Sequence, residues 1–176
     1  LHVFPGDNLL PAGSFKNALI LSVKFEDHDF TKQLLEKHVF KTHRKFHKPF
    51  RNFGLALIEF NGSNFGAALE ILQKVEFIEP AITMDVKILT SKILYEMDYI
   101  ENAFIYIRSF RKFLSENKNI SGSLKDKYNK FTRFYTILLN IKSGKYLNRK
   151  DEVTKQIKNE IVLESRQWLI NKISEL

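Results

Sequence analysis

An all-α protein is predicted from the spacing of apolar residues and from the residues that interrupt it. Apolar residues recur three and four positions apart almost everywhere after Ser14, which is the period of an amphipathic helix. An Asn-Gly pair typical of a β-hairpin stands at Asn61 and Gly62, but both of its flanks consist of good helix formers. Ser14, Asp29 and Asn64 stand where an N-cap should accept hydrogen bonds from free backbone amides. The sequence therefore predicts helices throughout, about nine in number.

The helix boundaries follow from this spacing and from proline and glycine. The predicted helices cover residues 15–25, 29–41, 50–60, 64–77, 82–96, 99–116, 122–143, 148–160 and 163–175. Pro49 stands near the start of the third helix and Pro80 in the connection before the fifth, both positions that proline tolerates. Residues 1–13 contain two Pro and two Gly and are predicted to be an extended N-terminal segment. No composition shift marks a linker, so residues 14–176 are predicted to form a single helical domain.

Composition and charge exclude several classes of protein. The chain has 176 residues, of which 44% are hydrophobic, so it has enough apolar surface to fold. It contains no Cys, which excludes disulfides and thiolate zinc sites. No apolar run approaches the length of about 18 residues that suggests a membrane span. The net charge of +8 favours acidic partners, although the codon bias of an AT-rich genome accounts for it equally well.

The first residues of the chain lead to two expectations, one about the location of the protein and one about its full length. Its first residues lack the basic start and apolar core of a signal peptide, so we expect a cytoplasmic protein. Because residue 1 is Leu rather than Met, we also expect the chain to be the C-terminal part of a longer protein.

A repeat is indicated by a small polar residue followed by an aromatic one. The pairs Asp29-Phe30, Asn64-Phe65 and Asp98-Tyr99 recur at spacings of 35 and 34 residues. Each pair stands in a predicted turn between two helices. A period of this length is typical of helical-repeat proteins.

Small residues recur in phase with these turns. Ala56 precedes Ala68 by 12 residues, and Ser91 precedes Ala103 by the same distance. A small residue on each of two antiparallel helices allows their backbones to approach closely. We therefore expect Ala68 and Ala103 at close helix crossings.

With these features the chain resembles the tetratricopeptide-repeat (TPR) family, which has a period of about 34 residues and two helices per repeat. Residues 52–80 match best, residues 87–113 are a second match, and residues 14–40 are a degenerate third. In residues 121–161 the first helix is too long for a regular fourth repeat. The resemblance implies a short right-handed α-solenoid of three to four helix-turn-helix repeats; the alternative is an irregular all-α bundle.

Catalytic motifs are missing from the sequence. It has no Gly-x-Ser-x-Gly elbow, no phosphate-binding loop and no Gly-x-Gly-x-x-Gly. His43 and His47 have the spacing of metal ligands on a helix, but Arg44 and Lys45 between them oppose a bound cation, so we interpret both as solvated histidines. We expect no enzymatic activity, no cofactor and no metal.

The TPR resemblance implies a module that binds a protein or peptide in a groove lined by the first helix of each repeat. Carried over by register, the groove-facing residues are Phe53, Leu57, Ile88, Lys92 and Tyr95. Lys92 would meet a carboxylate of the ligand, and Tyr95 would be its exposed aromatic anchor.

A basic tract supplies the alternative function, nucleic-acid binding. Residues 37–51 contain six Lys or Arg and no acid, with three Phe interleaved. Cations neutralise phosphates, and aromatic rings stack on bases. The cations of this alternative are Lys41, Arg44, Lys45, Lys48 and Arg51. A simpler interpretation is a connector whose phenylalanines pack on the core while its charges face water.

Two further features have structural interpretations. Arg108, Arg111 and Lys112 form a second basic tract, which suits a solvated face near a helix C-terminus. Trp168 is predicted to help the last helix cover the end of the repeat array.

Overall fold

The fold is taken from a computed structural model, which describes residues 9–75 and 79–176. Within these ranges the chain forms nine α-helices, joined by turns and short 3₁₀ segments, and no strand. The helices are α1 (Ala12–Lys24), α2 (His28–Glu36), α3 (His47–Asn61), α4 (Phe65–Leu72), α5 (Pro80–Glu96), α6 (Ile100–Glu116), α7 (Gly122–Lys142), α8 (Lys150–Asn159) and α9 (Arg166–Ser174). The predicted all-α class is confirmed. Over the same ranges, no helix combines the length and apolarity that a membrane crossing requires.

The N-terminal boundary differs from the prediction. Of the predicted extended segment 1–13, residues 1–8 lie outside the described residues. Helix α1 begins at Ala12, directly after Pro11, so Ser14 lies inside the helix rather than at its N-cap. Pro11 is the N-cap by position, and its carbonyl oxygen accepts the first helical hydrogen bond from the amide of Phe15 at 3.1 Å.

The caps of two later helices also need correction. The N-cap of α2 is Asp27, whose carboxylate accepts a hydrogen bond from the amide of Phe30 at 3.0 Å, whereas Asp29 lies one residue inside the helix. Asn64 is the N-cap of α4 by position, but it makes no side-chain cap bond there. Its amide instead donates to the carboxylate of Glu59 at 2.9 Å, which ties the turn back to α3.

The second helix ends earlier than the sequence predicts, at Glu36 rather than at residue 41. Residues His38–Lys41 form a 3₁₀ turn, in which the hydroxyl of Thr42 donates to the carbonyl oxygen of Val39 at 2.7 Å. The tighter winding of this turn accompanies the complete burial of Val39.

The third and fourth helices are displaced relative to their predicted ranges. Helix α3 begins at His47 rather than at residue 50, so Pro49 lies in its first turn, where a backbone amide is not needed. Helix α4 ends at Leu72, and the predicted continuation over residues 76–77 lies outside the described residues.

Packing divides the chain into two compact units, one up to Ile93 and the other from Leu94 onward. The division falls inside helix α5, so no linker accompanies it in the sequence. In the first unit α3 packs on α1, α2 and α4, and in the second α7 packs on α6, α8 and α9.

Aromatic rings fill the core of the first unit. The rings of Phe15 and Phe50 lie 4.9 Å apart between centroids, and those of Phe46 and Phe50 lie 5.4 Å apart. Phe53, in the same unit, is also buried. Burying these rings supplies much of the hydrophobic stabilisation of the unit.

One turn conformation is shared by three successive helix pairs and recurs after α7, where Gly144 has φ of 81°. Glu26, Ser63 and Asp98 all have a left-handed backbone, with φ of 56°, 61° and 60°. In each turn the amide of the next residue donates to the carbonyl five positions earlier, at 2.9, 2.8 and 2.9 Å. This bond pattern is the Schellman motif, which ends one helix and turns the chain into the next.

The shared turn gives the register of the three helix–turn–helix connections α1–α2, α3–α4 and α5–α6. Asp27, Asn64 and Tyr99 are equivalent, at spacings of 37 and 35 residues. The sequence predicts instead that Asp29 and Asp98 are equivalent to Asn64. The predicted register is therefore wrong by two residues in the first turn and by one residue in the third. Four residues after each equivalent position the second helix carries a small, buried residue: Thr31, Ala68 and Ala103.

Candidate binding groove

A groove runs along α3 in the first unit, and α2 faces α3 in two of its three parts. It consists of three adjoining concavities with volumes of about 350, 300 and 300 Å³. The first and second share His28, Thr31 and Ile58 in their walls, and the second and third share Arg51 and Leu55. We call this feature the α2–α3 groove.

Helical spacing explains which side chains line the groove. Arg51, Leu55 and Ile58 are four and three residues apart, so they lie on one face of α3. On α2, His28 and Lys32 have the same relation. Leu55 stands in the middle of this surface with 44% of its surface exposed. A half-exposed leucine between two helices offers an apolar contact to a ligand.

The two ends of the groove differ in charge. The third concavity is lined by Phe40, His47, Lys48, Arg51, Asn52 and Leu55, which include two cations and no carboxylate. The first concavity, at the other end, carries Glu26 and Glu59. A carboxylate of a ligand would therefore be attracted to the end that contains Lys48 and Arg51.

The cationic end is fixed by contacts around His47. Its Nε2 atom lies 2.9 Å from the carbonyl oxygen of Thr42, and its ring meets the ring of Phe40 edge-on at 5.2 Å between centroids. The side-chain amide of Asn52 donates to the carbonyl of Lys74 at 3.1 Å. These bonds hold the wall in one arrangement, which reduces the ordering entropy that a ligand must overcome.

The predicted groove-facing residues do not line this surface. Phe53 and Ile88 are buried, and so is Tyr95, whose surface is 3% exposed. The expectation that Tyr95 is an exposed anchor is wrong, because its ring packs in the core. Of the five residues, Leu57 and Lys92 are half-buried and keep part of their surface in contact with solvent.

The core contacts of Tyr95 explain its burial. Its ring meets the ring of Trp168 edge-on at 5.4 Å between centroids. The ammonium group of Lys142 lies 4.1 Å from the centre of the Tyr95 ring. Burial, with smaller contributions from Glu96, Glu175 and Asp98, raises the pKa of Tyr95 above its ordinary value.

The basic tract is exposed as a set. Lys41, Arg44, Lys45, Lys48 and Arg51 all face solvent. Lys48 and Arg51 line the α2–α3 groove, whereas the other three cations do not. Lys45 forms an ion pair with Glu79 at 3.2 Å.

The phenylalanines of this tract divide into two kinds. Phe46 and Phe50 are buried, as the connector interpretation predicts, whereas Phe40 is 57% exposed. The tract is thus anchored to the core by two rings and presents the third at the surface.

The two histidines of the tract have separate environments. The Nδ1 atom of His43 accepts a hydrogen bond from the backbone amide of Lys45 at 3.3 Å, while His47 contacts the carbonyl of Thr42. Among the residues placed by the structure, no three His, Asp or Glu side chains come together as a metal site would require.

Comparison with known proteins adds no relative to this description. The chain matches no family model, no curated protein and no solved structure.

Proposed function

We propose that the chain is a non-enzymatic, TPR-like helical-repeat module that binds an extended segment of another protein. The Schellman turn shared by the α1–α2, α3–α4 and α5–α6 connections supports the repeat assignment, because it recurs at intervals near the TPR period. Short stacked hairpins leave grooves between neighbouring helices, and such proteins use them to hold extended ligands.

The observation that carries this proposal is the α2–α3 groove. Its apolar centre at Leu55 suits an aliphatic or aromatic side chain of the ligand, and its cationic end at Lys48 and Arg51 suits a carboxylate. The ligand is therefore an acidic segment with one apolar anchor residue, bound with the acidic part near Arg51.

Selection from a random peptide display library against the whole chain tests this function. We expect the selected peptides to combine Asp or Glu with a large apolar residue. Leu55→Asp and Arg51→Glu should each weaken their binding tenfold or more, since each removes a central contact. Leu21→Asp is the matched control, because Leu21 is 49% exposed on α1 and does not line the groove. Peptides that bind the Leu55→Asp and wild-type chains equally would contradict the proposal.

Nucleic-acid binding is the second candidate, favoured by the exposure of the five cations of the basic tract together with Phe40. This function requires that the chain bind duplex DNA or RNA. The logarithm of the binding constant should fall by about 0.9 per contacted phosphate for each tenfold rise in salt concentration. Arg44→Gln, which lies outside the groove, should weaken nucleic-acid binding and leave peptide binding unchanged, whereas Leu55→Asp should do the reverse.

A further inference from the structure

A second concave surface lies in the other unit, between α6 and α7. It has a volume of about 370 Å³ and is lined by Phe104, Ile107, Arg108, Arg111, Thr136, Asn140 and Lys145. Three of these side chains are cations, and the lining contains no carboxylate. We call it the α6–α7 pocket.

The helices bring these groups together by their own spacing. Arg108 and Arg111 are three residues apart on α6, and Thr136 and Asn140 are four apart on α7, so each pair lies on one helix face. Lys145 follows the end of α7, where its backbone amide donates to the carbonyl of Asn140 at 2.8 Å. The turn thus carries Lys145 back to the rim of the pocket.

The guanidinium of Arg111 is held in place by α7. Its Nε donates to the hydroxyl of Thr132 at 3.2 Å, and its Nη2 donates to the carbonyl of Thr132 at 3.0 Å and to the hydroxyl of Thr136 at 2.9 Å. These acceptors are neutral and use the Nε and Nη2 donors, so the Nη1 edge remains for a ligand. Arg111 is exposed, as the interpretation of a solvated face predicts, and these bonds to α7 fix the orientation of its guanidinium at the surface.

The charge of the pocket is uncompensated. Arg108, Arg111 and Lys145 form no ion pair with any residue that the structure describes. Burial lowers the pKa of Arg111, as expected for a partly desolvated cation without a counter-ion. Three positive charges around one concavity repel one another, and a bound anion relieves this repulsion.

We propose that the α6–α7 pocket binds a phosphate monoester dianion carried on a small organic molecule. Two guanidinium groups match phosphate oxygens in geometry, and the lysine adds a third charge. A dianion balances more of the triple charge than a monocarboxylate does. The apolar wall of Phe104 and Ile107 lies beside the cations and packs against the organic part of the ligand. This site is independent of the peptide groove, because it lies wholly in the second unit.

Titration of the full chain with phenyl phosphate, followed by NMR of the backbone amides, tests the site. At pH 7.5 the phosphate ester is a dianion, since its second pKa is about 6. We expect saturable shifts confined to α6, α7 and the turn at Lys145. Benzoate, which carries a single charge, should bind at least tenfold more weakly.

Charge-removing variants give the decisive comparison. Arg108→Gln and Lys145→Gln should each weaken phenyl phosphate binding about tenfold, and neither side chain bonds to the rest of the described chain, so both variants should fold. Lys118→Gln, an exposed lysine in the turn before α7, changes the net charge equally and should leave binding unchanged. The absence of saturable shifts, equal affinity for benzoate, or an equal loss in Lys118→Gln would overturn the proposal.

Discussion

The indole nitrogen of Trp168 donates a hydrogen bond to the carboxylate of Glu96 at 3.0 Å, although 72 residues separate them. The same carboxylate pairs with Lys172 at 3.0 Å, so two side chains of α9 converge on the last residue of α5. The Trp168 ring stacks at 6.1 Å on Tyr135 and meets Tyr95 edge-on. The C-terminal helix is thus held by ring packing on one side and by a half-buried carboxylate on the other.

Replacing Trp168 with Phe keeps an aromatic ring and removes the donor. We expect the free energy of unfolding to fall by about 1–2 kcal/mol, because a hydrogen bond to a charged group contributes on this scale. Urea unfolding followed by circular dichroism measures the change. Combined with Glu96→Ala, which removes the acceptor, the double variant should lose less than the sum of the two single changes, since both remove the same bond. Strict additivity would show that the bond does not stabilise the fold.

Stability should fall at high pH because of two buried tyrosines. Burial, with a smaller contribution from nearby charges, raises the pKa of Tyr95 and Tyr135 in the folded state. In the unfolded chain a tyrosine loses its proton near pH 10. The contribution of the two protonated tyrosines to the free energy of unfolding is therefore complete below about pH 10. It is lost as the pH rises further, by up to about 1.4 kcal/mol per pH unit for each tyrosine.

Urea unfolding at several pH values measures this slope. Tyr95→Phe should reduce the decline above about pH 10, because it removes one of the two groups. Tyr146→Phe is the control, since Tyr146 is 52% exposed. An unchanged slope in the Tyr95→Phe variant would contradict the assignment.

The helices could be predicted because their signals are local: apolar spacing, proline and glycine. The register of the hairpin turns could not, because the left-handed position is occupied by Glu26, Ser63 and Asp98, which share no side-chain chemistry. The sequence therefore does not reveal this backbone conformation, and the polar-aromatic pair nearby marks the repeat only approximately. The spacing of about 35 residues was correct within two residues in spite of this.

The candidate groove was missed for a different reason. Phe53 and Leu55 are both apolar and stand two residues apart, so they lie on nearly opposite sides of α3 and either could face the core. Gly54 and Ala56 indicate which side of α3 faces the core, because small residues mark the side on which neighbouring helices approach. Phe53 is three residues from Ala56 and shares its face, which places it in the core and leaves Leu55 at the surface.

The close packing of Ala68 can be tested by comparing substitutions at Ala68 and at the adjacent residue Ala67. Ala68 is fully buried on α4, whereas Ala67 is exposed. Ala68→Leu should lower the free energy of unfolding by about 1–3 kcal/mol through overpacking, and Ala67→Leu should change it by less than about 0.5 kcal/mol. The same loss is expected for Ala103→Leu on α6, where the residue is also fully buried. Equal melting temperatures of the Ala68→Leu and Ala67→Leu variants would contradict the register.

Replacing glycine with alanine should change the stability of the fold in opposite directions at Gly54 and at Gly66. A Cβ at Gly54 would lie 2.6 Å from a methyl carbon of Leu35 and 3.0 Å from one of Leu19, and both leucines are buried. Gly54→Ala should therefore destabilise the fold by about 1–3 kcal/mol. A Cβ at Gly66 meets nothing within 4 Å, so Gly66→Ala should stabilise α4 by about 0.5–1 kcal/mol. Thermal unfolding of the two variants distinguishes these outcomes, and a shared sign would show that α3 does not approach α1 and α2 as described.

The shared turn predicts that glycine stabilises the chain at Glu26 and at Ser63. A left-handed backbone costs an L-residue about 1–2 kcal/mol, and glycine avoids this cost while losing about 0.5–1 kcal/mol through greater freedom in the unfolded chain. Glu26→Gly and Ser63→Gly should therefore each raise the free energy of unfolding by about 0.5–1 kcal/mol, by similar amounts. Ser14→Gly is the matched control, because Ser14 lies within helix α1 and gains nothing from glycine. Urea unfolding measures the stability of all three variants. A loss of stability in Glu26→Gly or Ser63→Gly would mean that this residue is not left-handed, and the common register of the two hairpins would then be wrong.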